Sequence, residues 1–145
     1  MTAYDEFQTL ARLLVRGRFH EGRRLVADME LRGTGRGRGR YLAALFYLSV
    51  ARRFPEGTEP HLVAGLVTEV RAHLDPAGEV FETRAAAVLV ATALGRAEGF
   101  AEPVTAEAVS RLELLLVFHL LSVPPIGDGE LDELLCAAAR LAARG

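Results

Sequence analysis

Glycine and proline divide the chain into about seven segments, and each segment carries apolar residues at a helical spacing. The apolar residues recur at intervals of three and four, which is typical of amphipathic helices. No stretch of convincing length alternates between apolar and polar residues, as a half-buried strand does. The breaks fall at Gly17, Gly33, Phe54–Gly57, Asp75–Gly78, Gly99–Pro103 and Pro124–Pro125. The pattern predicts an all-α fold.

The length of 145 residues, half of them apolar, favours one domain with its own core. Short connections suit antiparallel neighbours, so we expect residues 1–145 to form a single compact bundle of about six or seven mostly antiparallel helices. Two helices are apolar on nearly every side, Tyr41–Phe54 and Glu79–Glu98, and are expected at its centre. The other predicted helices run from Thr2 to Gly17, over Phe19–Arg32, Thr58–Leu74 and Thr105–Val123, and onward from Asp128.

The apolar runs are too short to cross a membrane. The longest are Tyr41–Ala51, Ala85–Leu94 and Leu114–Val123, each about half of the ~20 residues that a bilayer requires. Near the first residue the chain carries Asp5 and Glu6, where a secretory signal carries basic residues. Cys136 is the single cysteine, so no disulfide forms within one chain. These features predict a cytoplasmic protein without a membrane segment.

Positive charge is concentrated in the first third of the chain. All seventeen cationic residues are arginine, and residues 1–53 hold eleven of them against five acidic residues, a net charge of +6. Residues 54–145 carry a net charge of −8. This asymmetry indicates either two solvated faces of opposite sign or a basic docking surface.

The segment Gly33–Arg40 alternates glycine with arginine and predicts a flexible loop, because glycine weakens a helix. Its guanidinium groups suit phosphate, carboxylate or single-stranded nucleic acid. The candidate anion-binding residues are Arg32, Arg36, Arg38 and Arg40. The alternative is a solvated connection without a ligand, since no stacking aromatic residue precedes Tyr41.

The residues exclude several classes of enzyme. Without lysine the chain offers no P-loop lysine and no Schiff base, and one cysteine excludes a cysteine-rich zinc site within one chain. The sequence also contains neither a His-Glu-x-x-His nor a Gly-x-Ser-x-Gly motif. We therefore expect no catalytic residues, no metal site and no cofactor.

Two histidines lie on apolar helix faces. Glu69 and His73 are spaced i, i+4 on the apolar stripe of the fourth helix, and His119 lies in the most apolar part of the sixth. The simplest interpretation is a surface ion pair and a buried neutral histidine. The alternative is that all three line a pocket. Should His73 and His119 face each other, a metal or ligand site becomes credible.

The function that the sequence favours is a helical interaction module that associates with itself or with another protein. The third, fifth and sixth helices are apolar on most sides. Together they carry more apolar surface than one bundle of this size can bury. A first alternative is an anionic partner, nucleic acid included, bound by the Arg/Gly loop 32–40. A second is a small apolar ligand in a helical cavity with His119 at its polar end.

Overall fold

A computed structural model describes residues 4–33, 37–74, 82–96, 100 and 104–144. These residues form seven α-helices and no strand, so the predicted all-α class is confirmed. The helices are α1 (Asp5–Val15), α2 (Phe19–Arg32), α3 (Arg38–Arg53), α4 (Pro60–Leu74), α5 (Thr83–Ala93), α6 (Ala106–Ser122) and α7 (Asp128–Arg144).

Two helix boundaries follow directly from the residues at them. α2 ends where predicted, at Arg32, because Gly33 takes the left-handed conformation with φ +67°, which glycine adopts without strain. Thr105 caps the start of α6 as predicted: its Oγ1 accepts a hydrogen bond of 3.1 Å from the backbone N–H of Ala108.

The fifth helix is shorter than predicted. It covers Thr83–Ala93 rather than Glu79–Glu98, and Gly95, at φ +73°, turns the chain away from the helix. The ends predicted at residues 79 and 98 lie outside the described residues.

The loop predicted over Gly33–Arg40 is also shorter, because α3 begins at Arg38 rather than at Tyr41. The Tyr41 ring is 3% exposed and stacks on Tyr4, with ring centroids 5.7 Å apart. Its backbone N–H donates to the carbonyl of Gly37 at 3.1 Å, so the buried ring holds the first turn in helical register. This packing outweighs the low helix propensity of Gly39.

The chain divides into two units, of which unit 1 comprises Met1–Leu45 and Leu121–Gly145. In unit 1, α1 packs against α2 and α7. The Tyr41 hydroxyl donates to the Leu135 carbonyl at 3.3 Å, and Arg16 donates to the Ile126 carbonyl at 2.9 Å. The core of unit 1 includes Phe7, Leu10, Met29, Tyr41, Ile126, Leu131, Leu135 and Ala138.

Unit 2 comprises Phe46–Leu120, and in it α4 packs against α5. Arg53, the last residue of α3, donates to the Leu120 carbonyl at 3.2 Å. The core of unit 2 includes Val50, Phe54, Leu66, Val67, Val70, Ala86, Leu89, Val90, Leu112, Leu116, Val117 and Leu120. That residues 1–145 form a single domain stays a prediction.

Among the described residues, no helix is both long enough and apolar enough to cross a membrane.

Candidate metal centre

Glu69, His73 and His119 form a cluster within unit 2. One potential ligand atom from each of the three side chains lies within 4.8 Å of the other two. The imidazole rings of His73 and His119 stack, with centroids 5.4 Å apart, and Nε2 of His119 lies 3.2 Å from Oε1 of Glu69. The two histidines that the sequence left unconnected therefore meet.

Local structure explains why the three side chains converge. Glu69 and His73 are one helical turn apart, so they lie on the same face of α4. Buried residues on either side of Glu69, among them Val67 and Val70, fix the rotation of that helix. His119 is held among the apolar residues of α6, between Leu116 and Leu120.

The three residues differ in exposure. The His119 side chain is 2% exposed, that of Glu69 is 42% exposed, and His73 is exposed. The cluster thus has a buried side formed by His119 and an open side formed by the two α4 residues. An ion could enter from the open side.

His119 is buried as predicted, but Nε2 has no hydrogen-bond partner. Its 3.2 Å approach to the Glu69 carboxylate lacks the alignment of a hydrogen bond, although the distance alone would allow one. A buried polar atom without a partner costs about 1–3 kcal/mol. A metal ion bonded to the nitrogen lone pair would satisfy this atom.

The residue types fit a divalent transition metal. Two imidazoles and one carboxylate are the donor set of many catalytic zinc sites and of non-haem iron sites. With metal–ligand distances of about 2.0–2.1 Å, the ligand atoms of a tetrahedral site lie about 3.3 Å apart. The Glu69–His119 pair already has this spacing, and the exposed His73 side chain needs only a small movement.

A groove with a volume of about 580 Å³ borders the cluster at Glu69. Its lining comes from the end of α3, the segment before α4 and the first turns of α4: Arg53, Phe54, Pro55, Thr58, His61, Leu62, Gly65, Leu66 and Glu69. His119 is not among these residues, so the groove is not the His119-lined apolar cavity that the sequence suggested. Sequence reasoning missed Arg53 and Gly65 as candidates.

The structure places the candidate anion-binding arginines in different settings. Arg32 forms ion pairs with Glu6 and Asp28, and hydrogen bonds to these two carboxylates raise the pKa of its guanidinium. Arg38 and Arg40 are exposed residues in the first turn of α3, and Arg36 lies outside the described residues. Arg32 therefore links α2 to α1 by ion pairs.

Comparison of the sequence with protein-family models, with curated proteins and with solved structures finds no match.

Proposed function

We propose that this protein binds one divalent first-row transition metal ion through Glu69, His73 and His119. The observation that carries the proposal is the buried Nε2 of His119, which has no hydrogen-bond partner and faces a carboxylate oxygen at 3.2 Å beside a second imidazole. Buried polar atoms are nearly always satisfied in folded proteins, so an atom of this kind indicates a ligand.

The charges of the cluster support the same conclusion. A divalent ion would be bonded to one carboxylate and two neutral imidazoles, so that the site as a whole would carry a single positive charge. The one ligand that requires desolvation, His119, is uncharged in its ligating form, and the charged carboxylate keeps its access to solvent. The arrangement avoids the cost of burying an isolated charge.

The test is a Co²⁺ titration of protein that has been treated with a chelator, followed by displacement with Zn²⁺. Co²⁺ reports its ligands through its visible absorption. We expect one ion per chain, and we expect His73→Ala to weaken binding by about 100-fold. His20→Ala is the matched control, because His20 is an exposed histidine of unit 1.

Two results would contradict the proposal. The first is the absence of a Co²⁺ spectrum with protein whose circular dichroism shows a folded chain. The second is equal loss of binding in His73→Ala and His20→Ala, because non-specific surface binding does not distinguish one exposed histidine from another.

The self-associating interaction module stays a prediction, as does the cytoplasmic location. Much of the apolar surface on which the module rests is buried within the chain itself. In α6, for example, Leu112, Leu116, Val117, Leu120 and Leu121 are all buried. Among the described residues, several large apolar side chains are exposed, and Leu31, at 89%, is the most accessible of them.

A further inference from the structure

We propose that a small oxyanion, a carboxylate or a phosphate, binds in the groove beside Glu69 and occupies the metal coordination position that the protein leaves open. The inference rests on the proposed function and adds a ligand class to it. Three protein ligands leave one position of a tetrahedral site for water or for a bound molecule.

The groove and the metal ligands share one face of α4. His61, Gly65, Glu69 and His73 follow one another at intervals of four residues, which places them along a single side of the helix. The first three line the groove, and the last two belong to the cluster. A molecule in the groove would therefore lie next to an ion held by Glu69.

Gly65 leaves this face open one turn before Glu69. A Cβ built at Gly65 has no neighbouring atom within 4 Å, so packing does not require glycine there. Its backbone has ordinary helical geometry, so no positive φ requires glycine either. Glycine inside a helix weakens the helix relative to alanine. What Gly65 provides is space, and that space lies in the groove.

Arg53 contributes positive charge to the groove. Its donation to the Leu120 carbonyl at 3.2 Å fixes the position of its guanidinium. Guanidinium groups form charge-assisted hydrogen bonds with carboxylates and phosphates. A divalent ion bound by Glu69 would add positive charge to a groove that Arg53 also lines.

The experiment uses the Co²⁺-loaded full chain, titrated separately with inorganic phosphate and with benzoate. An oxyanion that replaces water on the metal changes the visible spectrum of Co²⁺, and the two titrations distinguish a phosphate ligand from a carboxylate with an apolar body. We expect Arg53→Gln to weaken the preferred oxyanion by about tenfold and to leave Co²⁺ affinity unchanged.

The decisive variant is Gly65→Leu, which fills the groove without removing any metal ligand. We expect it to bind Co²⁺ normally and to lose the spectral response to the oxyanion. Gly129→Leu is the matched control, since Gly129 is also a helical glycine whose Cβ would meet no atom. It should behave like the wild type.

Three outcomes would overturn the inference, and they are distinguishable. If Co²⁺ does not bind at all, the proposed function fails and the inference falls with it. If Co²⁺ binds but neither oxyanion changes its spectrum, the inference alone fails. If Gly65→Leu responds to the oxyanion as the wild type does, the ligand binds elsewhere.

Discussion

Nε2 of His119 lies 3.2 Å from Oε1 of Glu69, yet no hydrogen bond satisfies it. The contact joins α6 to α4, and it places a buried nitrogen against a half-exposed carboxylate. A neutral imidazole has one nitrogen lone pair, and an ion bonded to Nε2 would use it. The relationship makes the metal proposal testable through stability as well as through binding.

Zn²⁺ should stabilise the folded chain. Because an ion that binds only the folded state adds free energy by mass action, Zn²⁺ at 100 times its dissociation constant should contribute about 2.7 kcal/mol. Thermal unfolding with and without a chelator measures the effect. Glu69→Gln should remove most of it, whereas Glu59→Gln, an exposed change outside the cluster, should retain it. Equal stabilisation of both variants would contradict the site.

His119→Leu should leave the metal-free protein as stable as the wild type, or more stable by about 1 kcal/mol, because it replaces an unsatisfied buried nitrogen with an apolar side chain. Urea unfolding in the presence of a chelator measures this. Leu116→Ala provides the contrast: it opens a cavity in the same helix and should cost about 3 kcal/mol. A comparable loss in His119→Leu would show that the imidazole already has a structural role.

The buried carboxyl of Glu113 should make stability depend on pH. Burial raises its pKa from the ordinary 4.5 to about 7, and the residue is 7% exposed. Because the folded-state pKa is the higher one, the stabilising contribution is complete below pH 4.5 and is lost as the pH rises through 7. Allowing for partial solvent screening, we expect a loss of about 1–2 kcal/mol between pH 5 and pH 8.

Glu113→Gln should flatten this dependence, since glutamine does not titrate. Glu107→Gln, an exposed change on the same helix, should keep the wild-type slope. Urea unfolding at a series of pH values decides the matter. Parallel slopes for the wild type and Glu113→Gln would refute the assignment.

Gly65→Ala should stabilise the metal-free protein by about 0.5–1 kcal/mol. A methyl group there meets no atom within 4 Å, and alanine has the higher helix propensity. Denaturant unfolding measures the gain. A loss of stability would mean that the position is more crowded than the structure shows.

Self-association should appear in native mass spectrometry as a multiple of the chain mass. Leu31 is the most exposed large apolar residue described, so burial in a self-interface offers it the largest gain. Leu31→Asp should shift the population to monomer, whereas the neighbouring change Glu30→Ala should not. A wild type that is monomeric at every concentration would exclude self-association.

The sequence predicted what local patterns control. The bounds of α2 follow from its apolar spacing and from Gly33, and the juxtaposition of Glu69 and His73 follows from helical geometry alone. The start of α3 did not follow, because it depends on Tyr41 packing against Tyr4, a contact between distant parts of the chain. The contact between His119 and Glu69 did not follow from the sequence either, because it also joins distant parts of the chain.

Only part of the groove could be predicted from the sequence. The interval of four residues from His61 through Gly65 and Glu69 to His73 was a readable signal that these positions share one face. That Arg53 lines the same groove depends on the turn between α3 and α4, which no local pattern specifies.

The early start of α3 also changes what its arginines can hold. Successive residues of a helix are separated by about 100° around its axis, so Arg38 and Arg40 leave the helix about 200° apart, in nearly opposite directions. Two arginines on an extended loop could bind the same phosphate, whereas these two point to opposite sides of the helix. Because i, i+2 neighbours on a helix do not face each other, the helical geometry turns an apparent arginine pair into two separate positive points.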